Sequence, residues 1–378
     1  MRLNSIELTN FRNISDLKLE AAPGVNVICG ENAQGKTNLT EAIWMFTGAK
    51  SFRGARDKEL IQFGQPNCKS SIVFANEQRE QTASIELFDT KAISQGQKPK
   101  IVTLNEVPLE SASELSGQFY AVVFSPTDLS LVKDGPSLRR KFLDTAIGQI
   151  LPRYHHYLHE YQRILLQRNT LLKDLARFPQ LIDTMEVWEE NLAKAAAALA
   201  FCRARYVRSI APKACEVYEG ISAGKEHIRV SYQCGLRDAQ EQTRDHLKAF
   251  FLEELRRTRA EDLERGATLC GPHRDDLDIE INSMPMRLYG SQGQQRSAVL
   301  ALKMAECSMV EEVTGERPIV LLDDVMSELD AGRRDYLLNH LEDRQVFITC
   351  CDDASFRGLQ EGRSFVIQNG KMIETRTF

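Results

Sequence analysis

Residues Gly30-Glu31-Asn32-Ala33-Gln34-Gly35-Lys36-Thr37 satisfy the pattern G-x-x-x-x-G-K-[ST] at every fixed position. This spacing serves the cradling of a polyphosphate. Gly30 and Gly35 allow close backbone approach and positive φ, and successive N–H groups turn inward toward an anion. Lys36 would reach the β- and γ-phosphates, and the Thr37 hydroxyl would bind Mg2+. Far downstream, Ile319-Val320-Leu321-Leu322-Asp323-Asp324 is an apolar run ending in two carboxylates. Such a strand end is the partner a phosphate loop requires, with Asp323 serving Mg2+ and Asp324 orienting or deprotonating an attacking water. A third stretch, Ser291-Gln292-Gly293-Gln294, opens a helix and offers a hydroxyl, N–H groups and a helix dipole to a phosphate. The alternative for that stretch is a helix N-cap with a flexible glycine. The loop already holds a triphosphate within one subunit, so the economical expectation is that Ser291–Gln294 acts in trans across a two-fold dimer. Arg12 lies near the loop in the topology expected here, either against a phosphate or solvated in a turn.

These groups need elements to place them. Val25-Asn26-Val27-Ile28-Cys29 reads as a buried strand, and residues 38–46 read as a helix with Leu39, Ile43 and Phe46 on one face. Upstream, Leu3, Ile6 and Leu8 alternate with polar residues up to 9–13, as do residues 17–20, which predicts an opening hairpin, and the turn Ala22-Pro23-Gly24 leads from it into the phosphate-loop strand. Residues 68–75, 82–88 and 101–104 predict an antiparallel sheet, with a loop at 95–99 and a tight turn at Asn105-Glu106. Residues 120–124 form a second buried strand. Between 137 and 265 helix formers dominate. Leu158, Tyr161, Leu165 and Leu172 share one face, Trp188, Leu192, Ala195, Leu199 and Cys202 share another, and 238–264 is a third helical stretch. A brief strand at 228–232 interrupts them, and no heptad pattern is sustained enough for an extended coiled coil. His155 and His159 share a helical face, but nothing of suitable spacing completes a metal set, so they read as surface histidines. Beyond Gly266, residues 277–281 alternate strictly, 345–349 form a buried strand, and 365–373 form a hairpin on Asn369-Gly370. Strands alternating with helices predict a mainly parallel sheet. The expected organisation is α/β: 1–136 and 266–378 as two parts of an ATPase head, and 137–265 as a compact inserted helical domain.

The composition excludes several classes. The chain has 378 residues, 42% apolar and 27% charged, as in an ordinary globular protein of about two domains. Its net charge of −5 gives no global basic signature, so any binding to nucleic acid must rest on local patches. No apolar run approaches membrane-spanning length, and the first residues lack a signal-peptide core. Nine cysteines without a paired framework suggest reduced thiols in the cytoplasm.

The loop, Ser291-Gln292-Gly293-Gln294-Gln295, the Asp323-Asp324 strand end and Ser327-Glu328-Leu329-Asp330 together resemble the ATP-binding-cassette ATPases, in the branch of the chromosome-structural and Rad-type repair proteins. Within that branch the chain resembles a bacterial family of recombination-mediator ATPases. The matching blocks span almost the whole chain: Leu8–Asn13 and the loop, then 124–129, Gly135-Pro136 with Arg139-Arg140 and Phe142-Leu143-Asp144, then Gly271-Pro272-His273-Arg274-Asp275-Asp276-Leu277 and 321–330. The resemblance implies a cassette head with a short helical insertion, ATP and Mg2+ as ligands, Ser291, Gln292, Gly293 and Gln294 as a signature acting in trans, and Ser327 and Asp330 in a D-loop at the dimer interface. It further implies an ATP-dependent homodimer that clamps gapped or duplex DNA near single-strand/double-strand junctions. A RecR-type mediator would be the partner in helping to load the recombinase RecA, in the cytoplasm near the nucleoid. Arg139, Arg140, Lys141, Arg203, Arg205, Arg208, Arg256, Arg257 and Arg259 are candidate DNA contacts, with solvated helix faces as the alternative. The chain departs from the wider pattern in three places. Residues 124–128 hold no glutamine, Thr349-Cys350-Cys351 stands where a switch histidine is expected, and the catalytic acid is Asp324 rather than a glutamate. A shorter acid suits slow hydrolysis used as a switch. The other classes to weigh are an ATPase subunit driving a transporter or a nuclease, and an architectural chromosome protein.

Overall fold

The computed structural model describes residues 1–94, 96, 98–236, 238–351 and 362–378, so the loop expected at 95–99 lies partly outside the described residues. In chain order, β1 (Arg2–Phe11) and β2 (Ile14–Glu20) form the opening hairpin, and β3 (Val25–Cys29) leads through the glycine loop into α1 (Lys36–Met45). Next come β4 (Asn67–Ala75), β5 (Glu80–Phe88), β6 (Lys100–Leu104), β7 (Val107–Leu109) and β8 (Ala121–Phe124). The middle of the chain holds α2 (Ser130–Lys133), α3 (Pro136–Ile150), α4 (Arg153–Asp174), α5 (Met185–Ser222), β9 (Ile228–Gln233) and α6 (Arg244–Arg265). It continues through β10 (Asp276–Ile281), β11 (Met284–Pro285), α7 (Met286–Tyr289) and α8 (Gln292–Thr314). The last elements are β12 (Ile319–Leu322), α9 (Ala331–Asn339), β13 (Val346–Cys350), β14 (Gly362–Gln368) and β15 (Lys371–Thr377).

The first compact unit comprises Met1–Asp128 with Glu306–Phe378. It contains the expected antiparallel sheet, in the order β2-β1-β4-β5-β6-β7, and a second sheet in the order β15-β14-β3-β13-β12-β8. In the second sheet β14, β3, β13, β12 and β8 run parallel and only β15 is antiparallel. Its strands β12 and β8 are continuous apolar runs, as strands covered on both faces are, and every residue of Ile319–Leu322 is buried. Leu39, Ile43 and Phe46 join Leu3, Ile6, Leu8, Phe74 and Phe119 in one core cluster, as the helical periodicity predicts. Burial of each such side chain stabilises the unit by roughly 1.5–3 kcal/mol. The two tight turns also form. Asn105 and Glu106 have φ of 50° and 67°, and Asn369 and Gly370 have φ of 49° and 71°, as a two-residue turn matched to strand twist requires.

The second compact unit is Leu129–Ala305, where the sequence suggests boundaries at 136/137 and 265/266. β10 pairs with β9 from Asp276 opposite Gln233 to Ile281 opposite Ile228, which places residues 266–305, including Ser291, with the helices. Leu277, Ile279 and Ile281 are buried there, so the alternation at 277–281 belongs to this small sheet. α5 runs to Ser222, well past the face marked by Trp188–Cys202, because Ala214 and Tyr218 continue its buried face.

A buried polar network organises this unit. Arg139 forks onto Asp276 at 2.7 and 2.8 Å and donates to the carbonyls of Leu131 and Asp134. Arg203 donates to Asp144 at 2.8 and 3.0 Å, to the Tyr154 hydroxyl, and to the Pro272 carbonyl at 2.7 Å. Arg140 reaches the Asp275 carbonyl at 2.7 Å, the Tyr232 hydroxyl donates to the Asp275 carboxylate, and Tyr161 meets His273 at 2.5 Å. The block 271–276 is thus the hub of the unit. Burial pushes the Asp275 carboxyl up to about 6, against the pull of Tyr232 and the two arginines. Burial also lowers His273 to about 4.

Arg203→Met should destabilise the protein by about 3–5 kcal/mol in urea denaturation, because it leaves Asp144 without its buried cation. The two titrations act in opposite senses. Asp275 has a raised folded pKa, so its protonated form lends stability that is lost as pH rises from about 4 to about 6. The neutral form of His273 lends stability that is lost as pH falls from 6.5 toward about 4. Urea midpoints between pH 4 and 7 should therefore show wild type gaining on Asp275→Asn as pH falls, and losing to His273→Gln over the same interval.

Candidate nucleotide site

β3 ends at Cys29 and the chain turns through Gly30 (φ 154°), Ala33 (φ 65°) and Gly35 (φ 113°) before α1 begins at Lys36. A side chain at Gly30 would put its Cβ 2.3 Å from the Ile367 carbonyl, so only glycine fits this approach. Two turns grip the loop from outside. Asn13, in the β1–β2 turn, donates to the Ala33 carbonyl at 3.0 Å and accepts from Asn38 at 2.7 Å. In the β14–β15 turn, the Asn369 N–H donates to the Gln34 side chain at 2.5 Å and the Gly370 N–H to the Gln34 carbonyl at 3.0 Å. Glu31 and Asn32 are exposed at the rim. Lys36 is buried, and its ammonium donates to the Gly30 and Glu31 carbonyls at 2.5 and 3.0 Å.

The expected pairing of loop and carboxylate strand is present. Thr37 Oγ1 donates to Asp323 Oδ1 at 2.9 Å. Thr349 donates to the same oxygen at 3.1 Å, and Thr40 lies 3.5 Å from it. Burial raises the Asp323 carboxyl above its ordinary range, the Thr37 and Thr349 hydroxyls pull it down, and Asp324 pushes it up again. A hydroxyl and a carboxylate oxygen at this separation are hard donors of the kind Mg2+ takes alongside water, so Thr37 and Asp323 fit that ion. Among the described residues no group of three or more His, Cys, Asp or Glu side chains is assembled for a metal.

Asp324 sits at φ 55° in the left-handed region. Its N–H donates to Thr349 Oγ1 at 2.8 Å and its carbonyl accepts from Ser327 at 2.9 Å. Thr349, met in the sequence as the replacement of a histidine, therefore joins the two carboxylate positions. Asp330 caps α9 by accepting from the Arg333 N–H at 2.9 Å and pairs with the Arg333 guanidinium. Arg12 does not stand free in a turn. Its guanidinium forks onto the buried Glu41 of α1 at 2.8 and 2.9 Å, and Ser51 donates to that same carboxylate.

In the second unit, the Ser291 N–H donates to the Gln294 side chain at 2.7 Å, and the Gln294 N–H donates to Ser291 Oγ at 3.3 Å. This reciprocal capping box starts α8. Gln294 also donates to Glu226 at 2.7 Å, while Ser291 and Gln292 remain exposed and Gly293 is half-buried. Of the candidate DNA contacts, Arg139 and Arg203 are 6% and 2% exposed and are engaged in the internal pairs above. Arg140 is half-buried on the Asp275 carbonyl, and Arg259 is held by the buried Glu189 at 2.5 and 2.9 Å. Arg257 pairs with Glu254 at 2.7 and 2.9 Å on an exposed face. Lys141, Arg205, Arg208 and Arg256 are exposed. Asn13 and the Gln34–Asn369 grip escaped the sequence reading, because nothing local to Asn13 or to the Asn-Gly turn signals closeness to the loop.

Strand, glycine loop, helix and, two strands over in the same parallel sheet, a strand ending in Asp-Asp define the ATPase head of the cassette and chromosome-structural class. The family described as "RecF/RecN/SMC N terminal domain" matches residues 2–373. Similar proteins include the "DNA replication and repair protein RecF" of Ruminiclostridium cellulolyticum, 38% identical over 96% of each chain. That of Heliobacterium modesticaldum is 40% identical over 98% of this chain and 99% of its own. A solved structure of "the recombination mediator protein RecF-ATP in RecFOR pathway" superposes with a TM-score of 0.89 at 34% identity, over 100% of this chain and 97% of that one. The Smc head domain from Pyrococcus furiosus shares the fold, with a TM-score of 0.56 at 17% identity over 100% of this chain and 96% of that one. The chain belongs to the RecF family. No described helix is long and apolar enough to cross a membrane.

Thr349→Val removes one donor from Asp323 and the acceptor for the Asp324 N–H. It should cost about 1–3 kcal/mol of stability and lower ATP turnover about tenfold, with nucleotide binding changed less than threefold. Urea denaturation, phosphate release and titration with a fluorescent ATP analogue measure the three quantities.

Proposed function

We propose that this chain is an ATP-gated DNA-binding protein of replication and recombinational repair, acting as a dimeric clamp at gapped or duplex junctions. The observation that carries the reading is that the loop residues and the exposed helix start belong to different compact units. Lys36, Thr37, Asp323 and Asp324 gather in one unit, while the other presents Ser291 in the solvent at the start of α8. ATP is held by Gly30–Thr37, with Lys36 transferring its ammonium from the loop carbonyls to the phosphates. Thr37 and Asp323 would hold Mg2+, and its charge would offset that of the phosphate oxygens. Asp324 orients the attacking water. Ser291–Gln294 of a second copy closes over the γ-phosphate, with Ser327 and Asp330 near the same seam. Hydrolysis removes that contact and opens the clamp. The names of the relatives support the repair role. The RecFOR pathway named for a similar solved structure supports a RecR-type partner, and the output proposed for the clamp is help in loading the recombinase RecA. Asp324, a shorter acid than glutamate, fits slow turnover. Lys141, Arg205, Arg208 and Arg256 are the exposed residues offered to phosphates, as additive and salt-dependent contacts.

Light scattering with ATP, ADP and no nucleotide tests this reading. Wild type should dimerise only with ATP, Asp324→Asn should give longer-lived dimers, and Lys36→Arg and Ser291→Arg should give none. Dimers of Ser291→Arg as stable as wild type would refute action in trans. Gel shift on gapped duplex DNA should show an ATP-dependent complex whose affinity falls several-fold for Arg205→Ala with Arg208→Ala. A complex indifferent to nucleotide would favour an ATPase subunit of another kind.

A further inference from the structure

Two thiols meet at the base of the phosphate loop, and neither has a role in the chemistry above. Cys29 is the last residue of β3 and directly precedes Gly30. Cys350 ends β13 and directly follows Thr349, which bridges Asp323 and the Asp324 N–H. The parallel register sets Cys350 opposite Cys29, and their sulfurs lie 3.5 Å apart. Registered neighbours on adjacent strands are about 4.8 Å apart, inside the Cα separation of about 4.4–6.8 Å that a disulfide accepts. Cys29 is buried and Cys350 half-buried, so an oxidant reaches the second first. Cys351, the third sulfur nearby, is exposed and faces elsewhere, 3.9 Å from Lys36 Nζ and 3.5 Å from Asn32 Oδ1.

We propose that Cys29 and Cys350 are a peroxide-reactive pair whose reversible disulfide closes the nucleotide site. The Cys350 thiolate attacks one peroxide oxygen, the O–O bond breaks and hydroxide leaves, giving a sulfenic acid. The Cys29 sulfur then attacks the Cys350 sulfur, the S–O bond breaks and water leaves. Overall, two thiols are oxidised to one disulfide and one peroxide is reduced to two waters. The bond draws the sulfurs from 3.5 Å to about 2.05 Å. It ties the strand end that launches Gly30 to the strand end that carries Thr349. The loop must adjust its carbonyls as Lys36 leaves them for phosphate, and a staple at its first residue restrains that adjustment. A thiol reductant restores both sulfurs.

The test treats full-length protein with hydrogen peroxide, maps disulfides by mass spectrometry of non-reduced peptides, and titrates a fluorescent ATP analogue before and after. Wild type should yield a Cys29–Cys350 linked peptide and lose tenfold or more in affinity, and dithiothreitol should restore it. Cys29→Ser and Cys350→Ser should each keep their affinity after peroxide, and Cys351→Ser should behave as wild type. A missing linked peptide, a linked protein with unchanged affinity, or equal losses in wild type and both single-thiol variants would each overturn the proposal. The affinity arm rests on nucleotide binding at the loop. Wild type that binds no ATP before oxidation refutes that reading, and the linked peptide then decides the thiol pair by itself.

Discussion

One carboxylate oxygen holds the nucleotide site together. Asp323 Oδ1 accepts from Thr37 and Thr349, with Thr40 nearby, at the end of a strand that is otherwise wholly apolar. A buried carboxylate is costly unless it is surrounded by donors, and here the donors come from the start of α1 and the end of β13. The register of β12 on β13 and of β13 on β3 is therefore set by more than apolar packing. A slip of one residue would turn the Thr349 hydroxyl to the opposite face of the sheet. Asp323 and Thr37 also carry the proposed metal chemistry, so the cost of burying Asp323 and its use are one constraint.

The second unit solves an analogous problem with cations. Arg139 and Arg203 are buried arginines whose planar forks are matched by Asp276, Asp144 and backbone carbonyls. Such pairs contribute little net stability compared with apolar packing, but losing one member is severe. Their effect here is positional. They fasten α3, α5 and the 271–276 turn around β10, and β10 leads through β11 and α7 into the capped start of α8. Ser291 is exposed, yet the helix that presents it is anchored by Gln294 on Glu226, and Glu226 in turn accepts from Tyr218.

The features legible in the sequence are those written in local periodicity or fixed spacing. The phosphate loop, the apolar face of α1, the carboxylate strand and the Asn-Gly turn are all of this kind. Features that depend on pairing between distant segments were not legible. β9 and β10 complete one sheet across α6, and neither carries a mark of the other, so residues 266–305 seemed to belong with the head. Arg139 and Arg203 lie on helices whose charged residues usually face water, and only the acids brought up by other elements reveal them as internal. Thr349 was visible as a missing histidine, but its two hydrogen bonds depend on β12 and β13 lying side by side.

The placement of Lys36 shows how the site couples binding to geometry. Its ammonium is buried and would be costly if unsatisfied, and the Gly30 and Glu31 carbonyls satisfy it. Nucleotide binding must exchange these two bonds for bonds to phosphate, so the net gain is the difference between two satisfied states rather than the full strength of a charged contact. The loop is restrained during that exchange. Gln34 is held by the β14–β15 turn and Ala33 by Asn13. The stretch from Gly30 to Asn32, whose carbonyls Lys36 must release, is bordered by Cys29 on one side and reached by Cys351 on the other. A site with so little slack responds to small displacements of its strand ends, whether a second copy of the chain or a bond between two sulfurs produces them.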